Sequence, residues 1–240
     1  MAGIDSTTAR GKDPFSVVEQ LGRLIEVRTI FDVGAFRGLT ADRFRSVFRS
    51  AAVRLFEPQA DYCKGLTQKF AGDAQVSVHN LALSDTDGYA EFHLGAFPAT
   101  SSLFPRATGP RYFDAAHVMV DRVPVAVRRL DHVCAEIGVR HIEILKLDTQ
   151  GAELQILKGA GSLLSEQRID IILTEFFAAP HYEGAPLFDE IWSCLRTNGY
   201  NLHSIYLGLS GPDGQLRFGD AIFISDAFRR DHLAKLAKLL

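Results

Sequence analysis

The sequence predicts an α/β fold in which a doubly wound, mostly parallel sheet is covered by helices on both faces. Short apolar runs alternate with amphipathic stretches along most of the 240 residues. The run Ile-Asp-Ile-Ile-Leu at 169–173 is apolar on both sides of a strand, which is typical of a strand covered by two helical layers. Near the end of the chain, two strand-like stretches flank a Gly-Pro-Asp-Gly turn and predict an antiparallel hairpin.

The elements of the parallel part follow in order from these patterns. Asp13 and Pro14 form a helix cap followed by proline in the first turn, and apolar residues then recur at helical spacing. The predicted strands cover residues 29–33, 52–56, 75–80, 142–147 and 169–175. The predicted helices between them cover residues 40–49, 59–70 and 152–158. Alternation of this kind builds a parallel sheet.

The last elements have a different arrangement. Strands are predicted at residues 200–207 and 221–225, with the hairpin turn at 211–214 between them and a final helix over 226–240. The segment 95–117 has no regular period, contains three prolines, and is too long for a plain connector in a compact domain. We therefore predict that it forms a lid or a substrate loop.

Composition excludes several classes of protein. The formal net charge is −3 and no stretch is rich in Lys and Arg, so nucleic acid is not an expected partner. No apolar stretch reaches the roughly 18 to 20 residues that span a bilayer, and the start of the chain lacks the apolar segment of a signal peptide. The chain contains three widely spaced cysteines, which indicate neither disulfides nor zinc. We expect a single cytoplasmic domain without a membrane span; a homo-oligomer is compatible with the sequence.

A glycine-containing turn follows the first predicted strand and leads into a helix. Gly34 and Gly38 let the backbone approach a ligand, and the helix N-terminus offers free amide groups to an anion. The dinucleotide fingerprint requires a glycine where this chain has Phe36. Because a methionine carboxylate needs less room than a pyrophosphate, the turn favours S-adenosylmethionine over NAD. Alternatively, the two glycines only form a tight turn.

Two carboxylates at predicted strand ends fit the same cofactor. Asp32 lies at an apolar strand end, where a buried carboxylate needs donors, and a methionine ammonium would be one. Glu57 follows the glycine turn by about twenty residues and can accept hydrogen bonds from both ribose hydroxyls, as the acidic residue does in dinucleotide folds. The structural alternative for Glu57 is a cap for the helix that follows.

Seven stretches occur in an order that indicates a family. They are Phe-Asp-Val-Gly-Ala-Phe-Arg-Gly (31–38), Phe-Glu-Pro (56–58), Ala-Leu-Ser-Asp (82–85), Thr-Ser-Ser-Leu (100–103), Leu-Lys-Leu-Asp-Thr-Gln-Gly-Ala-Glu (145–153), Thr-Glu-Phe (174–176) and Gly-Asp-Ala-Ile-Phe (219–223). With this set the chain resembles the FkbM-type methyltransferases, a branch of the class I, Rossmann-like enzymes. The resemblance extends from residue 30 to about residue 225.

The resemblance implies a fold, a cofactor and a reaction. The fold is a sheet of seven strands with the last one inserted antiparallel, in a methyltransferase domain over residues 29–240 that follows an N-terminal tail and helix over 1–28. The cofactor is S-adenosylmethionine, and the reaction is O-methylation of a sugar, a glycan or a natural product. The implied cofactor contacts are Asp32, Gly34, Phe36, Gly38, Glu57, Asn80, Leu81 and Asp148. The family usually has Asn at the position of Phe36 and an acidic residue at that of Gln150.

Methyl transfer requires that the acceptor oxygen be aligned and lose its proton. Asp148 closes the strand 142–147 and is a candidate base, Glu175 ends the next strand, and His181 follows in a loop. Ser101, Ser102, Glu153 and Glu175 are the predicted acceptor contacts. Each has a simpler alternative: a helix cap for Asp148, a helix-dipole contact for Glu153, and ordinary loop positions for His181 and the serines. Asp148 and Glu175 could together bind Mg²⁺, but no spacing demands it, and we assign no metal ligand.

Three other functions remain open at this point. An N-methyltransferase would use the same fold, although the chain lacks the Asn-Pro-Pro-Tyr type of motif. An NAD(P)-dependent oxidoreductase is compatible with the strand and helix pattern, although Phe36 in place of the middle glycine argues against it. A non-catalytic scaffold would have lost the strand-end residues that this chain retains. The expected partner is a small-molecule or glycan acceptor.

Overall fold

The computed structural model describes residues 13–107, 118–211 and 213–234. Its strands are β1 (Thr29–Val33), β2 (Ala52–Phe56), β3 (Val76–His79), β4 (Ala82–Ser84), β5 (Gly88–Gly95), β6 (Met119–Arg129), β7 (Ile142–Leu147), β8 (Ile169–Phe177), β9 (Tyr200–Leu207) and β10 (Phe218–Ser225). Its α-helices are α1 (Pro14–Gly22), α2 (Leu39–Val47), α3 (Ala60–Lys69), α4 (Leu130–Glu136), α5 (Glu153–Gly159), α6 (Ser162–Ser165), α7 (Phe188–Thr197) and α8 (Asp226–Phe228).

Seven strands form the central sheet in the order β3-β2-β1-β7-β8-β10-β9. The first five are paired in parallel. β10 is antiparallel to both of its neighbours, β8 and β9, so the last strand of the chain is inserted between two others. The predicted fold class is confirmed, and the predicted bounds of β1, β2, β7 and β9 match to the residue.

A second, smaller sheet was not predicted. β4, β6 and β5 lie side by side in that order, with β4 parallel and β5 antiparallel to β6. In the segment predicted as a lid, a 3₁₀ turn spans Pro98–Thr100, and a bridge joins Ser102 to His93 of β5. Residues 108–117 of that segment lie outside the described residues. Helices α4 and α7 were also missing from the prediction.

The two ends of the described chain agree with the prediction in part. At α1, the Asp13 side chain accepts a hydrogen bond from the Ser16 amide, as a helix cap should. The final predicted helix, residues 226–240, is realised as α8 followed by a π-helical turn, Arg229–Leu233. Residues 235–240 lie outside the described part.

Two apolar layers cover the central sheet, one on each face. Alternate residues of a strand point to opposite faces, so Phe31 belongs to one layer and Ile30 to the other. The layer with Phe31 includes residues of α4, α5 and α7, and the layer with Ile30 includes residues of α1, α2 and α3. Each fully buried Leu, Ile or Phe contributes about 1.5–3 kcal/mol to stability. The sheet is therefore held rigidly enough to position residues at its carboxyl edge.

No helix within residues 13–107, 118–211 and 213–234 combines the length and the apolar character needed to cross a bilayer.

Candidate active site

A cavity of about 230 Å³ lies at the carboxyl ends of β1, β2, β7 and β8. The second sheet and the 3₁₀ turn close its other side with Phe92, Pro98 and Ala99. In open α/β sheets this edge is where ligands bind. The lining includes seven of the predicted site residues: Gly34, Phe36, Glu57, Leu81, Ser101, Asp148 and Glu175.

Gly34 begins the turn after β1 and has a left-handed backbone, with φ +76°. A Cβ atom there would lie 1.9 Å from the Asp148 carbonyl oxygen, so only glycine fits where the ends of β1 and β7 meet. Gly38 also has positive φ, +72°, but a Cβ there would meet Leu66 of α3 at 2.7 Å. Gly38 is outside the cavity lining, and its close approach to α3 accounts for the glycine.

Phe36 adopts a left-handed conformation that is rare for a large side chain, with φ +47°. A residue with a Cβ pays about 1–2 kcal/mol for this backbone. Its amide donates to Glu57 Oε2 at 2.9 Å, and its ring packs 4.5 Å from the ring of Tyr62, measured between centroids. Asn tolerates this conformation better than Phe, which fits the residue that the resembling family usually has here.

Glu57 has both oxygens occupied by backbone donors. Oε2 accepts from the Phe36 amide and Oε1 accepts from the amide of Gln59, the residue that precedes α3, at 2.8 Å. Burial raises the pKa of Glu57, against the two backbone hydrogen bonds. A carboxylate oxygen has a second lone pair, so the two backbone contacts do not prevent Glu57 from accepting a ligand hydroxyl. Asn80 lies outside the lining and donates to the carbonyl oxygens of Glu57 and Pro58.

Asp32 is fully buried beside a lysine to which sequence reasoning assigned no role. Lys146 Nζ lies 3.0 Å from Asp32 Oδ1 and 3.6 Å from Asp148 Oδ2, and it donates to the Gly34 carbonyl oxygen at 2.9 Å. Burial lowers the pKa of a lysine, but the Asp32 and Asp148 carboxylates outweigh it and raise the pKa of Lys146 above its usual range. Lys146 is the donor group next to Asp32 Oδ1, and Asp32 Oδ2 has no donor among the described residues. Asp32 is not part of the cavity lining.

Asp148 and Glu175 are joined by the side chain of Gln150. The Gln150 Nε2 atom lies 2.7 Å from Glu175 Oε2 and 3.3 Å from Asp148 Oδ1. On its other side, Gln150 Oε1 lies 2.8 Å from the Tyr182 hydroxyl. Burial, with the charges of Asp148 and other carboxylates, raises the pKa of Glu175 well above its usual value. From the sequence, Gln150 is a departure from the residue usual in the family, and no local pattern singles out Tyr182.

Asp220 of β10 is another acidic residue that sequence reasoning did not single out. It is paired with Glu175 in the register of β10 and β8. Burial and the charge of Asp148 raise the pKa of Asp220 to about 6. Asp220 belongs to the Gly-Asp-Ala-Ile-Phe stretch at 219–223. The register of the inserted strand β10 brings it next to Glu175 at the carboxyl end of β8.

The remaining predicted residues lie around the cavity rather than in its lining. Glu153 is buried in the first turn of α5, where its carboxylate accepts from the amides of Thr149 and Gly151 and so shapes the loop that carries Gln150. The Ser102 hydroxyl donates to the Gln150 carbonyl oxygen at 2.6 Å. The His181 ring stacks on Phe177 at 4.7 Å between centroids, and its Nδ1 lies 2.9 Å from the Ala179 carbonyl oxygen.

No cluster of three or more His, Cys, Asp or Glu residues in the described ranges has the arrangement of a metal site.

The chain is similar to known methyltransferases. The profile of the methyltransferase FkbM domain matches residues 32–202. The 2-O-methyltransferase NoeI of Sinorhizobium fredii is 27% identical over 161 residues, which are 65% of this chain and 65% of NoeI. The AMB antimetabolite synthetase AmbE of Pseudomonas aeruginosa is 29% identical over 54% of this chain and 7% of its own length.

A solved structure supports the fold. The methyltransferase FkbM of Methylobacillus flagellatus superimposes with a TM-score of 0.52 at 15% identity, over 83% of this chain and 44% of that one. The chain thus spans less than two thirds of each of these three relatives.

Proposed function

The chain belongs to the FkbM methyltransferase family, and on that premise we propose that it transfers a methyl group from S-adenosylmethionine to a hydroxyl oxygen of a small-molecule or glycan acceptor. The observation that carries the proposal is the cavity at the carboxyl edge of the sheet. There, Gly34 and Glu57 at the ends of β1 and β2 face Asp148 and Glu175 at the ends of β7 and β8. One side of the cavity thus has cofactor-binding chemistry, and the other has proton-accepting chemistry.

The residues on the cofactor side fit S-adenosylmethionine. Glu57 has free lone pairs for ribose hydroxyls, and Leu81 adds an apolar wall. The Asp32 carboxylate is fully buried and has Lys146 Nζ 3.0 Å from Oδ1, while Oδ2 has no donor among the described residues. Oδ2 therefore suits an ammonium group reached directly or through water. When bound, S-adenosylmethionine supplies an activated methyl group on a sulfonium, which is a good leaving group.

The acceptor side needs a group that orients a hydroxyl and takes its proton. The Asp148 side chain lines the cavity and is 46% exposed, so an acceptor can reach it, whereas Asp32 is fully buried. We assign Asp148 as the proton acceptor, with Glu175 beside it as a contact for the acceptor. His181 and Glu153 are further from this chemistry, since neither lines the cavity.

Transfer to oxygen is supported by the similarity of this chain to NoeI, a 2-O-methyltransferase. The segment 95–107 is the proposed acceptor loop, because Pro98, Ala99, Ser101 and Leu103 line the cavity.

Calorimetric titration with S-adenosylmethionine and, separately, with NAD tests the cofactor. We expect binding of S-adenosylmethionine alone; binding of NAD without S-adenosylmethionine would contradict the proposal. Transfer of a labelled methyl group to a panel of sugars, glycans and natural-product alcohols then tests the reaction, with matched amines in parallel. Methylation of the amines and not of the alcohols would contradict transfer to oxygen.

A further inference from the structure

We infer that Gln150 is a positioning residue, whose amide holds the carboxylates of Asp148 and Glu175 in a fixed relation for proton removal from the acceptor. The inference rests on the proposed function of this site. Gln150 itself need not touch the reacting atoms; it acts through the two carboxylates that it joins. In the sequence, Gln150 stands out only because the family usually has an acidic residue there. In the structure, its side chain contacts Asp148, Glu175 and Tyr182.

The two neighbouring carboxylates set the orientation of the Gln150 amide. Its Nε2 lies within 3.3 Å of oxygens of both Asp148 and Glu175, and an NH₂ group has two protons to donate. Its Oε1 faces the Tyr182 hydroxyl at 2.8 Å. Burial raises the pKa of Tyr182 above its usual value, so the phenol keeps its one proton. That proton is shared between Gln150 Oε1 and the Thr100 carbonyl oxygen, which lies 2.9 Å from the hydroxyl. Rotation of the amide by 180° would place Oε1 against the oxygens of Asp148 and Glu175, where Nε2 now donates.

The backbone of Gln150 is held as firmly as its side chain. Its φ of +58° is left-handed, a conformation that costs a residue with a Cβ about 1–2 kcal/mol. The Ser102 hydroxyl donates to the Gln150 carbonyl oxygen at 2.6 Å, and Glu153 holds the amides of Thr149 and Gly151 on either side. A strained residue fixed by contacts from separate segments is typical of a functional position.

Only an amide satisfies these three side-chain partners. Glutamate has the same shape but, when ionised, cannot donate to either carboxylate and would add a third negative charge beside them. Methionine has a similar length but can make none of the three hydrogen bonds. Six charged or titratable groups surround Gln150: Lys146 in β7, Asp148 directly after β7, Glu153 in α5, Glu175 in β8, Tyr182 in the loop after β8, and Asp220 in β10.

The test compares the Gln150→Met and Gln150→Glu variants with the wild type across pH. A hydrogen bond donated to an ionised carboxylate favours ionisation, so its loss should move the ionisation that controls the rate to higher pH. In Gln150→Met we expect kcat near neutral pH to fall about 10-fold to 100-fold, with partial recovery as pH rises. Gln150→Glu should shift the profile further, because it adds a like charge. Gln68→Glu, on the exposed surface of α3, is the matched control and should retain the wild-type profile.

A second measurement does not depend on turnover. The carboxyl carbon of Glu175, followed by ¹³C NMR in the free protein, should titrate at higher pH in Gln150→Met than in the wild type, and higher still in Gln150→Glu. Tyr182→Phe removes the hydroxyl that donates to Gln150 Oε1 and to the Thr100 carbonyl oxygen, and it should give a smaller shift in the same direction. This variant keeps the inference testable if the Gln150 variants fold poorly.

The outcomes separate this inference from the proposed function. The wild type could transfer methyl groups while the Gln150 and Tyr182 variants show unchanged pH profiles and an unchanged Glu175 titration. That result would overturn the role of Gln150 and leave the proposed function standing. A loss that is uniform across pH would also overturn it, since that is the signature of a purely structural residue. A wild type that neither binds S-adenosylmethionine nor transfers methyl groups would instead remove the proposed function.

Discussion

At the residue scale, the Asp148 side chain lines the cavity and lies next to Lys146 and Gln150. We expect Asp148→Asn to lower kcat by about 10²–10⁴-fold, because an amide cannot accept the proton that a general base removes. Affinity for S-adenosylmethionine should be retained, since Asn keeps the shape of the side chain. Steady-state kinetics and calorimetric titration measure the two effects. Wild-type turnover in this variant would exclude Asp148 as the proton acceptor.

Gly34 should tolerate no side chain. In Gly34→Ala, the Cβ would clash with the Asp148 carbonyl oxygen and the residue would keep a left-handed backbone. The backbone costs about 1–3 kcal/mol and the forced repacking about 1–3 kcal/mol more. Urea unfolding of the ligand-free protein measures the loss.

Gly65→Ala is the control for Gly34→Ala. Gly65 lies within α3 with no atom within 4 Å of an added Cβ, so alanine should raise the free energy of unfolding by up to about 1 kcal/mol. Equal stability of the two variants would show that the contact between Gly34 and Asp148 is not as close as the structure has it.

The sequence allowed those parts of the site to be predicted that lie directly at strand ends. Gly34, Glu57 and Asp148 each follow an apolar strand, and all three line the cavity. Gln150 and Tyr182 could not be paired in this way, because their contact joins the loop after β7 to the loop after β8 across 32 positions of sequence. The partner of a buried side chain depends on how loops pack, which no local pattern records.

At the scale of the elements, the inserted strand β10 brings an additional carboxylate to the active edge. The pKa of Asp220 is raised from 3.8 to about 6. Between pH 3.8 and about pH 6, the Asp220 carboxyl therefore keeps its proton in the folded protein and releases it in the unfolded chain. The contribution of Asp220 to stability is therefore present below about pH 4 and is lost as pH rises through about 6.

Asp220→Asn should remove this dependence on pH. Relative to the wild type, the variant should gain on the order of 2 kcal/mol in free energy of unfolding between pH 4 and pH 7, because it carries no charge to bury. Urea unfolding at several pH values measures the difference. Asp61→Asn, at an exposed position of α3, is the comparison and should show no such trend. A gain that is the same at every pH would contradict the burial of an ionised Asp220.

Among the strands that the sequence predicted well, β7 is covered on both sides. Every residue of β7 is buried, and its continuous apolar run was enough to fix its bounds. β6 is different, since most of its residues are exposed or half-buried and Pro124 interrupts it. A proline argues against a central strand, so the smaller sheet had no local signal. It exists because β4 and β5 both pair with β6.

At the scale of the whole molecule, the two halves of the central sheet meet between β1 and β7. The ion pair of Asp32 and Lys146 lies at this junction, with the side chains 0% and 5% exposed. Lys146 also binds the Gly34 carbonyl oxygen, so one ammonium connects both strands to the glycine turn. The smaller sheet covers the cavity from above the same edge, through Phe92 and the 3₁₀ turn that follows β5.

This junction predicts a strong coupling in stability. Lys146→Met should lower the free energy of unfolding by about 3–5 kcal/mol, because it leaves the Asp32 carboxylate buried without its counter-charge. In Asp32→Asn the lysine retains Asp148 as a partner, so the loss should be smaller. The double variant has no buried charge to compensate and should lose less than the sum of the two single losses. Urea unfolding of the ligand-free wild type, the two single variants and the double variant at pH 7 completes this double-mutant cycle. Additive losses would mean that Asp32 and Lys146 do not stabilise each other and that the halves of the sheet are held by apolar packing alone.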